Sequence, residues 1–418
     1  MSVNVTTLEN GLRIVTDTMT QVETVSAGVW VGAGARMETE AEGGVSHLLE
    51  HMTFKGTEKR TAQAIVEEIE DVGGHLNAYT TRETTAYYAK VLKEDTALAI
   101  DVIADLTMNA TIDDEELRKE RSVIIQEIHQ SFDTPDDIIH DHFQGAAYPD
   151  QPLGRPVLGI ADVIRDMERD TVTTYMNRHY TPNNMVLTAA GNVAHEEIVD
   201  LARAHFPVRP KSAETKPDVG RYLGGDFREK RELEQVHLLI GFKGVDYDAD
   251  DVYAVSVFST LLGGGMSSRL FQEVREKRGL AYSIYSYASS YTDTGLFGIY
   301  AGTSGSDLEE LIPVIADEIN QSADSLTEEE VARARAQMKA GTLMGLESPS
   351  GRAEQLARQM MMFGRPIPVA EIVEKIEAVD VAATLAAARK ITASTPTLAA
   401  IGPIDTLESY ECFQGRIG

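Results

Sequence analysis

Apolar and polar residues alternate along Val22–Gly34 (VETVSAGVWVGAG), a period of two that predicts a strand. Ala62–Gly74 (AQAIVEEIEDVGG) has helical spacing and ends on glycine, and His75–Leu92 then alternates as a hairpin with aromatic residues on one side. The same order returns later in the chain: Ser267–Gly279 reads as a helix ending on glycine, and Leu280–Thr303 as an aromatic-rich hairpin. Asp113–Gln130 opens with acids at the positive end of a helix and keeps Leu117, Val123, Ile124 and Ile128 at helical spacing. Pro135 starts another helix. In the second half, Val236–Phe242 reads as a strand, and helices are expected from Asp251 through Leu262, from Leu308, and from Thr327 past Met344. Pro207–Gly220 (PVRPKSAETKPDVG) is poor in large apolar residues and reads as a linker. The pattern predicts an α+β protein of two homologous repeats, each a mostly antiparallel sheet covered by helices; two unrelated α+β domains are the alternative. The expected division is residues 1–207, a linker over 208–228, and 229–418.

The 418 residues carry 66 acidic and 38 Lys or Arg side chains, a formal charge of −28. That balance argues against nucleic-acid binding, which needs a basic footprint, and it suits a basic substrate or plain solubility. A 43% hydrophobic content excludes wholesale disorder. The single cysteine, Cys412, can form neither an internal disulfide nor a thiolate metal site. The first residues have no basic start or apolar core of a signal peptide, and no stretch reaches the roughly 18 apolar residues of a membrane span. A cytoplasmic location is expected, or a matrix-like one if an address has been removed.

The most specific feature is His47-Leu48-Leu49-Glu50-His51. Residues four apart on a helix share one face, so both imidazoles can reach one ion, and imidazole suits Zn²⁺. Glu50 lies about 100° round the helix from His51, beside the ion, where a proton-accepting base belongs. A catalytic site of this kind needs a third protein ligand. Two surface histidines on a helix are the plainer reading of a bare pair, but the intervening glutamate and the preceding Gly43-Gly44-Val45-Ser46 favour the metal.

Together, Gly43–Thr57 (GGVSHLLEHMTFKGT), Leu76–Tyr88 (LNAYTTRETTAYY) and Glu120–Ile128 (ERSVIIQEI) resemble the pitrilysin and mitochondrial-processing-peptidase family of inverted-motif zinc peptidases. Within that family, the chain is most similar to the catalytic β subunits of processing peptidases and their bacterial homologues. The resemblance spans nearly the whole chain. It implies a third zinc ligand some 76 residues beyond the second histidine, where Glu127 stands. Glu120, two turns earlier on the same helical face, is implied as the residue that orients the ligands; a solvated surface charge is the alternative for it.

The resemblance also implies that Asp137 and Asp141 hold an arginine of the substrate near the scissile bond, although two aspartates in so acidic a chain also fit a solvated helix face. Phe54 is implied to line the pocket just past the cleaved bond, with core packing as the other reading. Asn77, Ala78 and Tyr79 match an exposed edge strand onto which extended substrate adds by main-chain pairing. Arg275 and Tyr282, in REKRGLAY, match a pair aimed at the substrate carbonyl, where a guanidinium and a phenol can donate to a developing oxyanion.

The implied activity is a zinc-dependent metalloendopeptidase with one Zn²⁺ per chain, on which Mn²⁺ and Co²⁺ remain open. Substrates are expected to be unfolded, Arg-containing or presequence-like peptides. A homodimer, whose two copies enclose a shared acidic chamber, is the expected assembly. The alternative is a catalytically silent scaffold resembling the core subunits of a respiratory complex.

Overall fold

A computed structural model describes residues 2–209 and 217–417. Part of the expected linker, 210–216, lies outside the described residues. The fold is α+β, with two sheets in two compact units. Among the described residues no helix is long and apolar enough to cross a membrane.

The first unit comprises Met1–Gln130, Arg155–Asp218 and Leu343–Ile367. Its six strands are β1 (Ser2–Thr7), β2 (Arg13–Thr18), β3 (Thr24–Val31), β4 (His75–Thr80), β5 (Thr85–Leu92) and β6 (Met185–Gly191). They lie in the order β1-β2-β6-β3-β5-β4, antiparallel except for β2 with β6, and β4 forms an edge. Helices α1 (Val45–Thr53), α2 (Ala62–Glu70), α3 (Thr96–Asn109) and α4 (Asp114–Phe132) follow the predicted pattern where it was legible.

The inner strands of the sheet are buried on both faces, as the apolar run in β3 requires. Ile14, Val25, Val29 and Leu187 pack into the main core with α1 and α3. On the reverse face, Val15, Trp30, Val186 and Ala190 meet Ala353, Leu356, Ala357 and Met360 of the helix Pro349–Phe363. That helix comes from late in the chain. Asp17 accepts a 2.6 Å ion pair from its buried Arg352.

The second unit comprises Ser131–Gly154, Val219–Thr342 and Pro368–Gly418. It contains helix α5 (Pro135–Ala147) and strands β7 (Gly225–Lys230), β8 (Val236–Lys243), β9 (Ala281–Ser290), β10 (Gly295–Thr303) and β11 (Thr397–Gly402). The sheet order is β7-β11-β8-β10-β9, with only β7 and β11 parallel. Here the exchange runs the other way, because the early helix α5 covers one face of a sheet made from late strands. Ile139, Phe143 and Ala147 pack on Leu239, Tyr300, Ala399 and Ile401. Gly241 permits this, since a Cβ there would stand 2.3 Å from the Phe143 ring. The segment read as a helix over Ser267–Gly279 is mainly one π-helical turn, Phe271–Glu276, which ends before Gly279 at φ +68°.

Candidate metal centre

Helix α1 buries Val45, Leu48, Leu49 and Met52 in the core and leaves His47, Glu50 and His51 on the remaining stripe. Its start is fixed by two unusual residues. Gly44 has φ +92°, and a Cβ there would come within 2.7 Å of Ile164 and 2.8 Å of the Leu158 carbonyl. The buried Glu38 carboxylate accepts the N–H groups of Gly44 at 2.7 Å and Ser46 at 2.8 Å, satisfying donors that a helix start leaves open. Burial pushes the Glu38 carboxyl up to about 7, against the lowering effect of those two bonds.

Helix α4 meets α1 with Leu117, Glu120 and Ile124 buried on one face, whereas Val123 turns outward. Glu127, two turns beyond Glu120, faces the histidines. Its Oε2 is 3.8 Å from His47 Nε2 and 3.7 Å from His51 Nε2. The three ligand atoms all lie within 4.8 Å of one another. Tetrahedral bonds of about 2.0–2.1 Å place ligand atoms roughly 3.4 Å apart, and the two histidine–Glu127 separations exceed that by only a few tenths of an ångström.

The chemistry of the donors agrees with that fit. Hydrogen bonds from His51 and Lys55 outweigh burial and hold Glu120 below the usual carboxylate range. Glu120 is then acceptor-only, so in the neutral ring His51 Nδ1, 3.0 Å from Glu120 Oε2, carries the proton and the Nε2 lone pair is on the Glu127 side. Lys55 Nζ holds the other Glu120 oxygen at 2.7 Å. Burial, helped by the charge of His51, brings His47 down to about 4, so it is neutral at ordinary pH. Burial resists a charge on His51, but Glu120, Glu127 and Glu50 together raise its pKa above 6.5.

Glu50 is close to the ligands without being one of the three. Burial raises its carboxyl above 4.5, against a hydrogen bond from Thr80 and the charge of His51. Strand β4 runs alongside: Leu76 and Ala78 pack toward the core, and Thr80 Oγ1 donates to Glu50 Oε2 at 2.5 Å. Asn77 is exposed and its Oδ1 accepts the Ala78 N–H at 2.8 Å. The Tyr79 hydroxyl accepts from Trp30 Nε1 at 3.0 Å. Phe54 caps the C-terminus of α1, half-buried, with its ring 6.4 Å from that of Tyr87.

The other expected residues lie in the second unit. On α5, Asp137 is exposed and its Oδ2 accepts from Ser131 Oγ at 2.9 Å; Asp141 is one turn on and half-buried. Arg275 and Tyr282 form a pair. The guanidinium sits 4.2 Å from the Tyr282 ring centroid and 4.7 Å from that of Phe271, and its Nη1 donates to the Tyr282 carbonyl at 2.9 Å. Tyr282 is 73% exposed, so its hydroxyl is available to another molecule. Glu38, Lys55 and Thr80 escaped the sequence reading. None stands at a ligand spacing: Lys55 and Thr80 act through contacts to Glu120 and Glu50, and Glu38 acts on the start of α1.

Two imidazoles and a carboxylate facing one point, with a further acid beside them, form a donor set of the kind a metal-dependent hydrolase uses. The family profile described as insulinase (peptidase family M16) matches residues 13–160, and the profile described as peptidase M16 inactive domain matches 166–338. The chain belongs to peptidase family M16. It is 40% identical over 403 residues to an uncharacterized zinc protease of Rickettsia felis, covering 96% of this chain and 98% of that one. Similarity to a probable mitochondrial-processing peptidase subunit beta of Arabidopsis thaliana is 37% over 428 residues, covering 99% of this chain and 80% of the relative. A protease from Helicobacter pylori shares the fold, with a TM-score of 0.88 at 21% identity over 96% of this chain and 99% of that one.

Proposed function

We propose that the chain is a zinc-dependent endopeptidase holding one Zn²⁺ on His47, His51 and Glu127. The observation that carries this reading is the convergence of one ring nitrogen each of His47 and His51 and a Glu127 carboxylate oxygen within 4.8 Å of one another. An ion held there would activate water and stabilise negative charge on the substrate oxygen. Glu50 accepts the proton of the attacking water and returns it to the leaving amine, a role suited by its raised pKa. Glu120 keeps His51 oriented and in the tautomer that ligates.

The open edge of β4 receives substrate as an added strand, so the substrate must be extended. Phe54 is proposed to line the position after the scissile bond. In a homodimer, Arg275 and Tyr282 of the partner subunit would donate to the carbonyl oxygen as it becomes charged, within a closed acidic chamber. Asp137 and Asp141 would select arginine near the scissile bond by charge-assisted hydrogen bonds. Unfolded or presequence-like peptides are the proposed substrates.

Cleavage of a quenched Arg-containing peptide tests the reading, with and without chelator and beside Glu50→Gln. Metal-dependent cleavage that the variant abolishes supports it. Chelator-insensitive cleavage, or full activity in Glu50→Gln, overturns it, and a zinc-loaded chain that cleaves nothing supports the scaffold alternative.

A further inference from the structure

The hydroxyl of Thr80 lies 2.5 Å from Glu50 Oε2, and no ligand spacing in the sequence marks Thr80 for any role. Thr80 is the last residue of β4 and pairs with Thr85 of β5. The Thr85 hydroxyl donates to the Ala33 carbonyl at 3.0 Å, so its single proton is committed there. The Thr80–Thr85 oxygen separation is 3.4 Å, a poor hydrogen bond. The Thr80 proton therefore goes to Glu50. A carboxylate has two oxygens, and this contact occupies one of them.

We propose that Thr80 is a positioning residue for Glu50: its hydroxyl holds Oε2 and leaves Oε1 as the atom that takes up and releases the proton. This rests on the reading of Glu50 as the base. A Glu side chain swings freely about its last torsions, and burial alone does not choose between its rotamers. Thr80 makes that choice from the strand proposed to receive the substrate. On the same strand, the Ala78 N–H is held by the side chain of Asn77 rather than by a main-chain carbonyl, which leaves it ready for exchange with a peptide carbonyl. The strand proposed to seat the peptide thus also carries the hydroxyl that aims the base, and the two functions share its position.

The test compares Thr80→Val, which keeps the shape and loses the hydroxyl, with Thr80→Ser, which restores it. Zinc content, affinity for an uncleaved peptide, kcat and KM are measured on the full chain, with Glu50→Gln as the control. Loss of a hydrogen bond to a charged group predicts a fall in kcat of about 10- to 100-fold for Thr80→Val. Zinc content, peptide affinity and KM should stay within about twofold of wild type, and Thr80→Ser should recover most of kcat. If Thr80→Val does not fold, Thr80→Ala replaces it with the same thresholds. Wild-type kcat in the hydroxyl-free variant, a loss confined to zinc content or KM, or no recovery in Thr80→Ser overturns the inference while leaving an inactive Glu50→Gln intact. Full activity in Glu50→Gln removes the base reading and this inference with it.

Discussion

His51 Nδ1 stands 3.0 Å from Glu120 Oε2, and the other oxygen of that carboxylate is 2.7 Å from Lys55 Nζ. One acid thus fixes the tautomer of His51, the proposed metal ligand, while a lysine keeps the acid charged. Replacing Glu120 by Gln removes the charge and allows the amide to present a donor to His51. Zinc affinity should fall on the order of 10- to 100-fold, and excess zinc should restore most of the activity. Competition with a chromophoric chelator measures this. Unchanged affinity would mean that Glu120 serves packing alone.

Acid should release the metal through His51 rather than His47. A proton on His51 Nε2 blocks ligation, and the pKa of this histidine is raised above 6.5, whereas His47 is lowered to about 4. As pH falls through the His51 value, zinc affinity should drop about tenfold per pH unit, corresponding to one proton. A second proton should enter only near pH 4. Zinc titrations at pH values below the His51 pKa would read a slope approaching one, and a slope of zero between pH 5 and 6.5 would contradict the assignment. Weakening the Glu120 contact should shift the onset to lower pH.

The start of α1 makes a stability prediction. The Glu38 carboxyl is raised from 4.5 to about 7 in the fold, so the folded chain binds this proton more tightly than the unfolded chain. Its contribution is full below about pH 4.5 and is lost as pH rises through about 7. The change amounts to at most about 3 kcal/mol. Glu38→Gln should remove this pH dependence while costing about 1–3 kcal/mol at pH 5, because one of the Gly44 and Ser46 N–H groups loses its acceptor. Melting curves of both proteins at pH 5 and pH 8 should converge toward the alkaline end; parallel curves would exclude the assignment.

Gly44→Ala addresses the same turn from the backbone. A Cβ at φ +92° meets the Leu158 carbonyl and the Ile164 side chain, so both strain and crowding oppose it. A loss of about 2 kcal/mol or more is expected, together with reduced zinc affinity, because the helix start sets where His47 and His51 lie. Wild-type stability would show that the turn can relax.

Reversing Asp137 and Asp141 to Lys should reduce cleavage of Arg-bearing peptides at least about tenfold more than that of neutral ones. Equal loss on both would discard the arginine-selecting role. Asp137 already accepts from Ser131, so Ser131→Ala should sharpen rather than abolish the selectivity.

Part of this was legible from spacing: His47, Glu50 and His51 share one helix face because the intervening leucines are buried. Glu127 and Glu120 were picked out by the family resemblance, and their seven-residue step showed only that they share a face of α4. The hairpins β4–β5 and β9–β10 follow the aromatic alternation that predicts them. The exchanged helices were not legible. Nothing in Pro349–Phe363 states that its alanines and methionines will cover a sheet built from the first 200 residues, since one apolar stripe fits many partners. Glu38, Lys55 and Thr80 escaped for a related reason. Each is an ordinary polar residue whose role comes from a contact 2.5–2.8 Å long that no local period encodes, across the fold for Lys55 and Thr80 and through the turn before α1 for Glu38.

Diffraction from zinc-loaded crystals, recorded on both sides of the zinc absorption edge, tests the proposed metal ligands most directly. One anomalous peak per chain is expected, about 2.0–2.2 Å from His47 Nε2, His51 Nε2 and a Glu127 oxygen, with Glu50 outside ligating distance. A peak elsewhere, or one without Glu127 in its coordination sphere, would contradict that ligand set.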